Sequence, residues 1–406
     1  MRLDEHDRRL AAASAISAQG RFVGAGQAVE LLAALLRSDD RVLIEGDNQK
    51  QARLLIRALG RLDPAAVSDL HVLSSAIVIP EHLALFERGL ARRLDFAFSG
   101  PQAAPLAKLV SSGAVRIGAI HTYAELYARY FTDLIPDVAL LAGELADRDG
   151  NIWLGANSEE TPVLCEAVHA AKGIAIIQVE KIVDRLPRVD IPGDRIEFVV
   201  EAGERPFIQA LFTRDPARIT PSQILMAMLT IKGVYGPYGV RSINHGIGYA
   251  TAAIELLLPT YAAELGFKGS ICDHWVLNPH PTLIPAIEAG FVRTICAFGS
   301  EPGMEDYIAA HRDLFFTSHD GGLMSSRLIA QVAGHYAVDC FTGATLQIDA
   351  EGNSSTATTG RIGGFGGAPN LGSDPPGRRH ATPTWLRAGR ESAGQGDEWR
   401  GSPRAT

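Results

Sequence analysis

Apolar positions along the first third of the chain alternate between two spacings. Residues 28–40 (AVELLAALLRSDD) repeat apolar side chains at helical spacing, whereas residues 41–46 (RVLIEG) form a short apolar run, typical of a buried strand. The same order recurs downstream. Residues 79–94, which open with a proline, and 101–113 read as helices, with DFAFSG (95–100) between them as a strand. This alternation predicts an open, mostly parallel sheet flanked by helices, with ligands beyond the carboxyl ends of its strands.

Two segments far apart in the chain share a strand–turn–strand pattern with the spacing D-x-x-G-N. The turn residues are Asp147, Gly150 and Asn151 in the first segment and Asp349, Gly352 and Asn353 in the second. Asp, Gly and Asn are common turn residues, so chance is the alternative explanation. We interpret the repeat as a sign of two similar α/β lobes, residues 1–205 and 206–391, with a site in the cleft between them.

Composition restricts the class of protein. Of the 406 residues, 46% are hydrophobic and 21% charged, and the net charge is -8. An acidic chain with few clustered Lys and Arg does not suggest a nucleic-acid surface, and no apolar run reaches the roughly 18 residues of a membrane span. The four cysteines lack C-x-x-C spacing, so no structural metal site is suggested. We therefore predict a cytoplasmic protein.

A glycine-rich loop, GRIGGFGGAPNLG (360–372), follows the second predicted hairpin. It lacks the dinucleotide-binding spacing G-x-G-x-x-G and the Lys-Ser/Thr of a phosphate-binding loop. Backbone amides in such a loop can approach a small anion without side-chain interference, which is what an oxyanion hole requires. The loop therefore meets the physical requirement of an oxyanion hole.

Longer stretches carry a resemblance to a known family. The segments NHGIGYATAAIELLLPTY (244–261), HWVLNPHPTLIPAIEAG (274–290) and LQIDAEGNSSTATTGRIGGFGGAPNLGSD (346–374), among others in the same order, resemble malonate decarboxylase α subunits, which belong to the coenzyme A transferase superfamily. The likeness runs from about residue 10 to about Glu391. Coenzyme A transferases carry G-x-G-G-x-x-D in this loop, and here Asn370 occupies the aspartate position, where we expect it to line the substrate site.

The resemblance implies two lobes of coenzyme A transferase type and an acyl-carrier-protein transferase. Malonate would take the carrier-protein thiol from an acetyl group, giving malonyl-S-carrier protein and acetate by way of a mixed anhydride. The backbone amides of Gly366 and Gly367 would stabilise the oxyanions of this reaction. The implied partners are the acyl carrier protein and the decarboxylase subunits. The carrier protein would bring a phosphoribosyl-dephospho-coenzyme A arm, and no cofactor would be bound covalently to this chain.

The resemblance also suggests polar site residues. Asp320, in FFTSHDGG, lies nearest to the position of the catalytic glutamate of coenzyme A transferases, but it is one methylene shorter. We therefore favour direct transfer over a covalent relay; a turn residue is the alternative for Asp320. His245 and His280, which lie among small residues, are candidates for positioning a carboxylate of malonate. Arg361 and Arg378 are candidates for pairing with malonate or with the phosphates of the arm. Structural histidines and solvated surface arginines are the alternatives.

The likeness ends near Glu391, and residues 392–406 (SAGQGDEWRGSPRAT) lack apolar periodicity. We expect a disordered tail there and an incomplete second lobe. The alternatives to the transferase are a coenzyme A transferase or citrate-lyase-type α subunit that acts on another acid, and a non-catalytic scaffold subunit.

Overall fold

The structure is a computed structural model that describes residues 2–17, 20–46, 50–210, 215–315, 338–351 and 353–368. The α-helices in these ranges are α1 (Arg2–Ser14), α2 (Ala28–Leu35), α3 (Arg53–Leu59), α4 (Pro80–Glu87), α5 (Ala103–Ser111), α6 (Tyr123–Tyr130), α7 (Thr161–Ala170), α8 (Pro221–Thr230), α9 (Gly236–Tyr238), α10 (Tyr249–Leu257), α11 (Ile284–Glu288) and α12 (Glu305–Ala310).

The strands in the same ranges are β1 (Phe22–Gly24), β2 (Arg41–Ile44), β3 (Lys50–Gln51), β4 (Leu70–Ala76), β5 (Ala91–Phe98), β6 (Arg116–Ile120), β7 (Val138–Ala142), β8 (Leu145–Asp147), β9 (Ile152–Trp153), β10 (Ile174–Val179), β11 (Lys181–Val183), β12 (Phe198–Glu201), β13 (Phe207–Ile208), β14 (Ser242–His245), β15 (His274–Val276), β16 (Thr294–Cys296), β17 (Cys340–Thr342), β18 (Gln347–Ile348), β19 (Ser354–Ser355), β20 (Ala357–Thr358) and β21 (Arg361–Ile362).

The first lobe contains an eight-stranded sheet in the order β1-β12-β10-β7-β2-β4-β5-β6, and every neighbouring pair is parallel. Successive residues of its strands alternate between two hydrophobic clusters. Val42, for example, belongs to the cluster beneath α2 to α5, and Leu43 to the cluster beneath α6 and α7. Helices therefore bury both faces of the sheet, as the long apolar strands require. The predicted α/β class with a mostly parallel sheet is confirmed.

The helix predicted over residues 79–94 is shorter in the structure. Helix α4 begins at Pro80, whose fixed backbone angle suits the first helical position, and ends at Glu87. Gly89 then adopts a left-handed conformation (φ +76°), and β5 begins at Ala91. The residues ARRL therefore open a strand, because the glycine ends the helix before them.

The second lobe is built on a smaller parallel sheet, in the order β16-β15-β14-β17. Its core surrounds the buried Trp275 and includes residues from α8, α10 and α11. The predicted boundary at residue 205 falls between β12, in the first sheet, and β13, which pairs antiparallel with β3 of the first lobe. Across the described ranges, no helix has the length and apolar character that a membrane span requires.

Both D-x-x-G-N segments form hairpins with the same hydrogen bonds. In the first, one oxygen of Asp147 accepts the backbone amides of Asp149 and Asn151, and the other accepts the Asn151 side-chain amide at 2.9 Å. In the second, Asp349 accepts the Asn353 backbone amide at 2.8 Å and its side-chain amide at 2.7 Å. The repeat is therefore a shared local structure, with the Asp side chain holding the turn.

Candidate functional site

The glycine loop of the second lobe docks on the first sheet. It leaves β21 and meets the carboxyl ends of β5 and β6, where Phe98 forms an antiparallel bridge with Gly364 and Thr122 forms a parallel bridge with Gly366. Ser99 reinforces the junction, since its amide donates to the Gly363 carbonyl at 2.9 Å. The loop therefore lies at the edge of the sheet where parallel α/β folds bind ligands.

Two glycines in this loop have a structural requirement. Gly364 (φ +77°) lies so close to β5 that a Cβ atom would overlap the Ala97 carbonyl oxygen. Gly366 is also left-handed (φ +59°), and a Cβ there would lie 3.4 Å from the Tyr123 hydroxyl oxygen. Close backbone approach and positive φ angles thus explain why side chains are absent at these positions.

The loop amides predicted to bind an oxyanion differ in their partners. The Gly366 amide donates to the Ala97 carbonyl at 2.9 Å, and the Gly366 carbonyl accepts the Tyr123 amide at 3.2 Å. Both backbone groups of Gly366 therefore fix the loop, and its amide does not face the cleft in this conformation. The Gly367 amide has no hydrogen-bond partner among the described residues, so it is the better candidate for an oxyanion donor.

His245 and His280, which were predicted to bind substrate, come together on a protein carboxylate. His245 Nδ1 lies 2.9 Å from Glu255 Oε1, and His280 Nε2 lies 2.8 Å from Glu255 Oε2. The second nitrogen of each ring also has a partner, namely the Tyr235 hydroxyl at 2.9 Å and the Asn278 carbonyl at 3.2 Å. The two residues are 2% and 0% exposed, so neither side chain reaches the cleft in this structure. These contacts favour the structural alternative.

This buried network holds the strand ends of the second lobe together. Thr282 donates to Glu255 at 2.6 Å, and a hydrogen bond of 2.7 Å joins the Tyr235 and Thr342 hydroxyls. Thr342 lies at the end of β17, and its carbonyl accepts the amide of Gly246, just after β14. Removing the shared carboxylate would leave buried polar groups unpaired.

A matching network in the first lobe was not predicted from the sequence. Asp95 on β5 is hydrogen-bonded to His71 Nε2 at 2.7 Å and to His121 Nε2 at 2.8 Å. Burial alone would raise the pKa of Asp95, but hydrogen bonds from His121 and His71 hold it well below its usual range. Gly118 on β6 allows this packing, because a Cβ atom there would overlap the carboxylate.

A second group missed in the sequence lies at the carboxyl end of β2. Lys50 and Glu45 form an ion pair (3.1 Å) in which both side chains are almost fully buried, and the Thr161 hydroxyl contacts both. Glu45 also accepts the Ala142 amide at 2.7 Å. Burial raises the pKa of Glu45, although Lys50 opposes the shift.

The two lobes meet where their strands end. Asn278, after β15, donates its side-chain amide to Glu159 at 2.6 Å, and the Ser300 amide donates to Asn157 at 2.8 Å. Gly299 is required because a Cβ atom would overlap both Glu159 and Asn157. Glu159 has a left-handed backbone (φ +43°), which is costly for a residue with a side chain and is often found at functional sites.

The structure does not test the roles predicted for Arg361, Asp320, Asn370 and Arg378. Arg361 opens β21, is exposed, and donates its backbone amide to the Thr358 hydroxyl at 3.2 Å. Asp320, Asn370 and Arg378 lie outside the described residues. The assigned roles of these four residues therefore stay predictions.

The sequence carries only weak signals for the residues that were not predicted. His71, Asp95 and His121 are far apart in the chain and meet only because β4, β5 and β6 are neighbours in the sheet. Asp95 opens the predicted strand DFAFSG, but that prediction does not show which side chains lie beside it. For the loop residues Asn157 and Glu159, the only sequence signal was their place in a polar segment between a hairpin and a helix.

The chain is similar to a protein family, to a relative of known activity and to solved structures. A family model described as malonate decarboxylase, alpha subunit, transporter matches residues 1–403. An acetyl-S-ACP:malonate ACP transferase from Malonomonas rubra is 52% identical over 385 residues, which span 95% of this chain and 70% of that protein. A chain in the crystal structure of a Pseudomonas malonate decarboxylase hetero-tetramer in complex with malonate is 55% identical, with a TM-score of 0.88, and the match covers 95% of this chain and 71% of that chain.

A more distant match shows the fold alone. An acyl-CoA transferase from E. coli O157:H7 is 15% identical with a TM-score of 0.56, and the match covers 87% of this chain and 78% of that chain. This likeness confirms the predicted coenzyme A transferase type of fold. Because the family model spans nearly the whole chain and the identities exceed one half, the chain belongs to the malonate decarboxylase α subunit family.

Proposed function

We propose that this chain moves the thiol of an acyl carrier protein from acetyl to malonate, releasing acetate. The observation that carries the proposal is the 52% identity with an acetyl-S-ACP:malonate ACP transferase over 95% of this chain. The docked glycine loop supports it, because it brings a backbone amide of one lobe to the strand ends of the other. The carrier protein and its prosthetic arm enter this reaction as substrates.

The chemistry needs alignment and charge stabilisation. A malonate carboxylate oxygen attacks the acetyl carbonyl carbon, and the thiolate leaves, which gives an acetyl–malonyl anhydride. The thiolate then attacks the malonyl carbonyl, and acetate leaves with the bridging oxygen. Each step passes through a tetrahedral oxyanion, which the Gly367 amide would stabilise. Holding the carboxylate and thioester together would supply much of the remaining acceleration.

The glycines of the loop are expected to have different roles. Gly364 and Gly366 fix its path against β5 and β6, so the following amide is held in place before substrate arrives. A preorganised donor costs no reorganisation during the reaction, which is the reason that such loops are effective. Gly366 would therefore act as a positioning residue and Gly367 as the donor.

We further propose that acyl carrier protein and decarboxylase subunits are the partners of this chain and that malonate and acetate are its small substrates. The support is the 55% identical relative, which is part of a Pseudomonas malonate decarboxylase hetero-tetramer in complex with malonate. The arm of the carrier protein is expected to be a phosphoribosyl-dephospho-coenzyme A group.

Isotope exchange tests the proposal. The purified chain is incubated with acetyl-S-carrier protein and labelled acetate, with and without the other subunits. A transferase exchanges the label into the thioester, whereas a scaffold does not. Replacing malonate by citrate as the acceptor then separates this reaction from that of a citrate-lyase-type subunit, and equal turnover with citrate would contradict the assignment.

A further inference from the structure

A row of basic side chains crosses the first sheet at the edge opposite the glycine loop. The strand register pairs Arg41 with His71, His71 with Arg93, and Arg93 with Arg116, on the adjacent strands β2, β4, β5 and β6. Paired residues in parallel strands point to the same face of the sheet. Four basic side chains therefore stand side by side where these strands begin.

A β-bulge adds a further arginine to the row. Leu70 pairs with Ala91, but the next residue, His71, pairs with Arg93, so Arg92 is the extra residue on β5. Bulges commonly re-aim a side chain. Here Arg92 and Arg93 are both exposed, although successive residues of a regular strand point to opposite faces.

These residues enclose a pocket of ≈ 300 Å³. The pocket is lined by Asp39, Arg41, Asp69, His71, Arg92, Arg93 and Arg116. Four arginines face two aspartates, and the Arg92–Asp69 pair is loose at 3.7 Å. In a chain with a net charge of -8, this is a local concentration of positive charge. A concave surface with an excess of positive charge concentrates anions.

Two members of the row are held in place by the protein. His71 is 6% exposed and is fixed through Nε2 by Asp95, at 2.7 Å. Arg41 donates to the Asp133 carbonyl, just beyond α6, at 2.9 Å. These contacts fix His71 and Arg41. Arg93 Nε lies 3.7 Å from Asp95 Oδ2, and about half of the Arg93 side chain remains exposed to solvent.

We propose that this pocket binds a phosphoryl group, with Arg93 and Arg116 as its principal ligands. Guanidinium groups bind phosphate through paired, charge-assisted hydrogen bonds, and the volume suits a small phosphorylated molecule. The site is separate from the transfer chemistry. On strand β5, the pocket residue Arg93 lies five residues before Phe98, which contacts the glycine loop, a separation of about 17 Å along the strand. The inference does not depend on the proposed transferase function.

Calorimetric titration of the full chain tests the site. Orthophosphate and ribose 5-phosphate are titrated separately at constant ionic strength, with chloride as the balancing ion. We expect saturable binding that Arg93→Gln and Arg116→Gln each weaken by about tenfold or more, since each loses charge-assisted hydrogen bonds. Arg148→Gln is the matched control, because Arg148 is 80% exposed and lies in the β8–β9 hairpin with Asp184 as its partner.

The relative affinities of the two phosphates identify the kind of ligand that the pocket binds. Tighter binding of ribose 5-phosphate would indicate an organic phosphate, whereas equal binding would indicate the inorganic ion. Binding no stronger than that of chloride, or unchanged in Arg93→Gln and Arg116→Gln, would overturn the proposal. Circular dichroism of each variant without phosphate shows whether it folds, and Arg116, on the edge strand β6, provides the variant least coupled to the core. Transfer activity is expected to be retained in both variants.

Discussion

The Gly366 amide donates a 2.9 Å hydrogen bond to the Ala97 carbonyl, which ties the second-lobe loop to the end of β5 in the first lobe. This contact explains both the glycine at 366 and the position of the amide that follows it. Gly366 therefore holds the loop of one lobe against the other lobe. The Gly367 amide is expected to be the group that stabilises the oxyanion.

Gly366→Val is expected to lower transfer by about 100-fold or more, comparable to the loss of an oxyanion donor. A β-branched residue resists the left-handed backbone at this position, so the loop leaves β5 and the Gly367 amide moves. Steady-state transfer rates and thermal unfolding measure the two effects separately. Gly360→Ala is the control, since nothing lies within 4 Å of a Cβ there. Near-normal rates in Gly366→Val would remove the loop from the mechanism.

Asp320→Asn is expected to retain transfer activity, and no enzyme thioester is expected to accumulate. Direct attack by malonate makes a protein carboxylate unnecessary as a nucleophile. Incubation with the acetyl thioester followed by borohydride, with peptide mass spectrometry, detects any trapped carboxyl. Inactivation with modification of Asp320 would show a covalent relay instead.

Glu255→Gln is expected to destabilise the chain by about 1–3 kcal/mol while leaving the KM for malonate almost unchanged. An amide cannot accept hydrogen bonds at both positions that His245 and His280 occupy, so a buried polar group loses its partner. Urea unfolding and malonate titration measure the two quantities. A large rise in the KM for malonate with unchanged stability would instead support a substrate-binding role for His245 and His280.

His82 is expected to destabilise the fold in acid. Burial lowers the pKa of His82 to about 4, and neither ring nitrogen has a hydrogen-bond partner within the described part of the chain. Between the unfolded pKa of about 6.5 and the folded value, the unfolded chain binds the proton more readily. Stability should therefore fall by about 3 kcal/mol as the pH drops through this range.

His82→Leu should remove this component of the pH dependence. Urea unfolding of both proteins at pH 7 and pH 4.5 isolates it, because the other titrating groups are shared. Equal losses of stability in the two proteins would show that the buried imidazole does not titrate as described.

The first sheet was predictable because its local signals agree with its tertiary environment. Apolar runs such as residues 42–44 are buried on both faces, and Pro80 begins a helix as expected. The β4–β5 bulge and the early start of β5 at Ala91 were not predictable, because ARRL has no strand periodicity and Gly89 has several possible roles in a turn. The repeated hairpins were predicted correctly since one Asp side chain organises each turn.

The site was harder to predict than the fold. The sequence around a histidine is the same whether the ring contacts a substrate or a buried carboxylate such as Glu255, which lies in the last turn of the apolar helix α10. Likewise, a glycine can be selected by positive φ, by close approach or by an oxyanion, and the sequence of the loop does not separate Gly366 from Gly367. The structure separates them, because the Ala97 carbonyl accepts the amide of Gly366.

The central claim is tested most directly by following labelled malonate. The chain, acetyl-S-carrier protein and carbon-labelled malonate are mixed without the decarboxylase subunits, and the thioester and released acid are separated. The proposal predicts labelled malonyl thioester with one acetate released for each malonyl group formed, and no comparable product from citrate. Acetate release without label in the thioester, or equal incorporation from citrate, would contradict it.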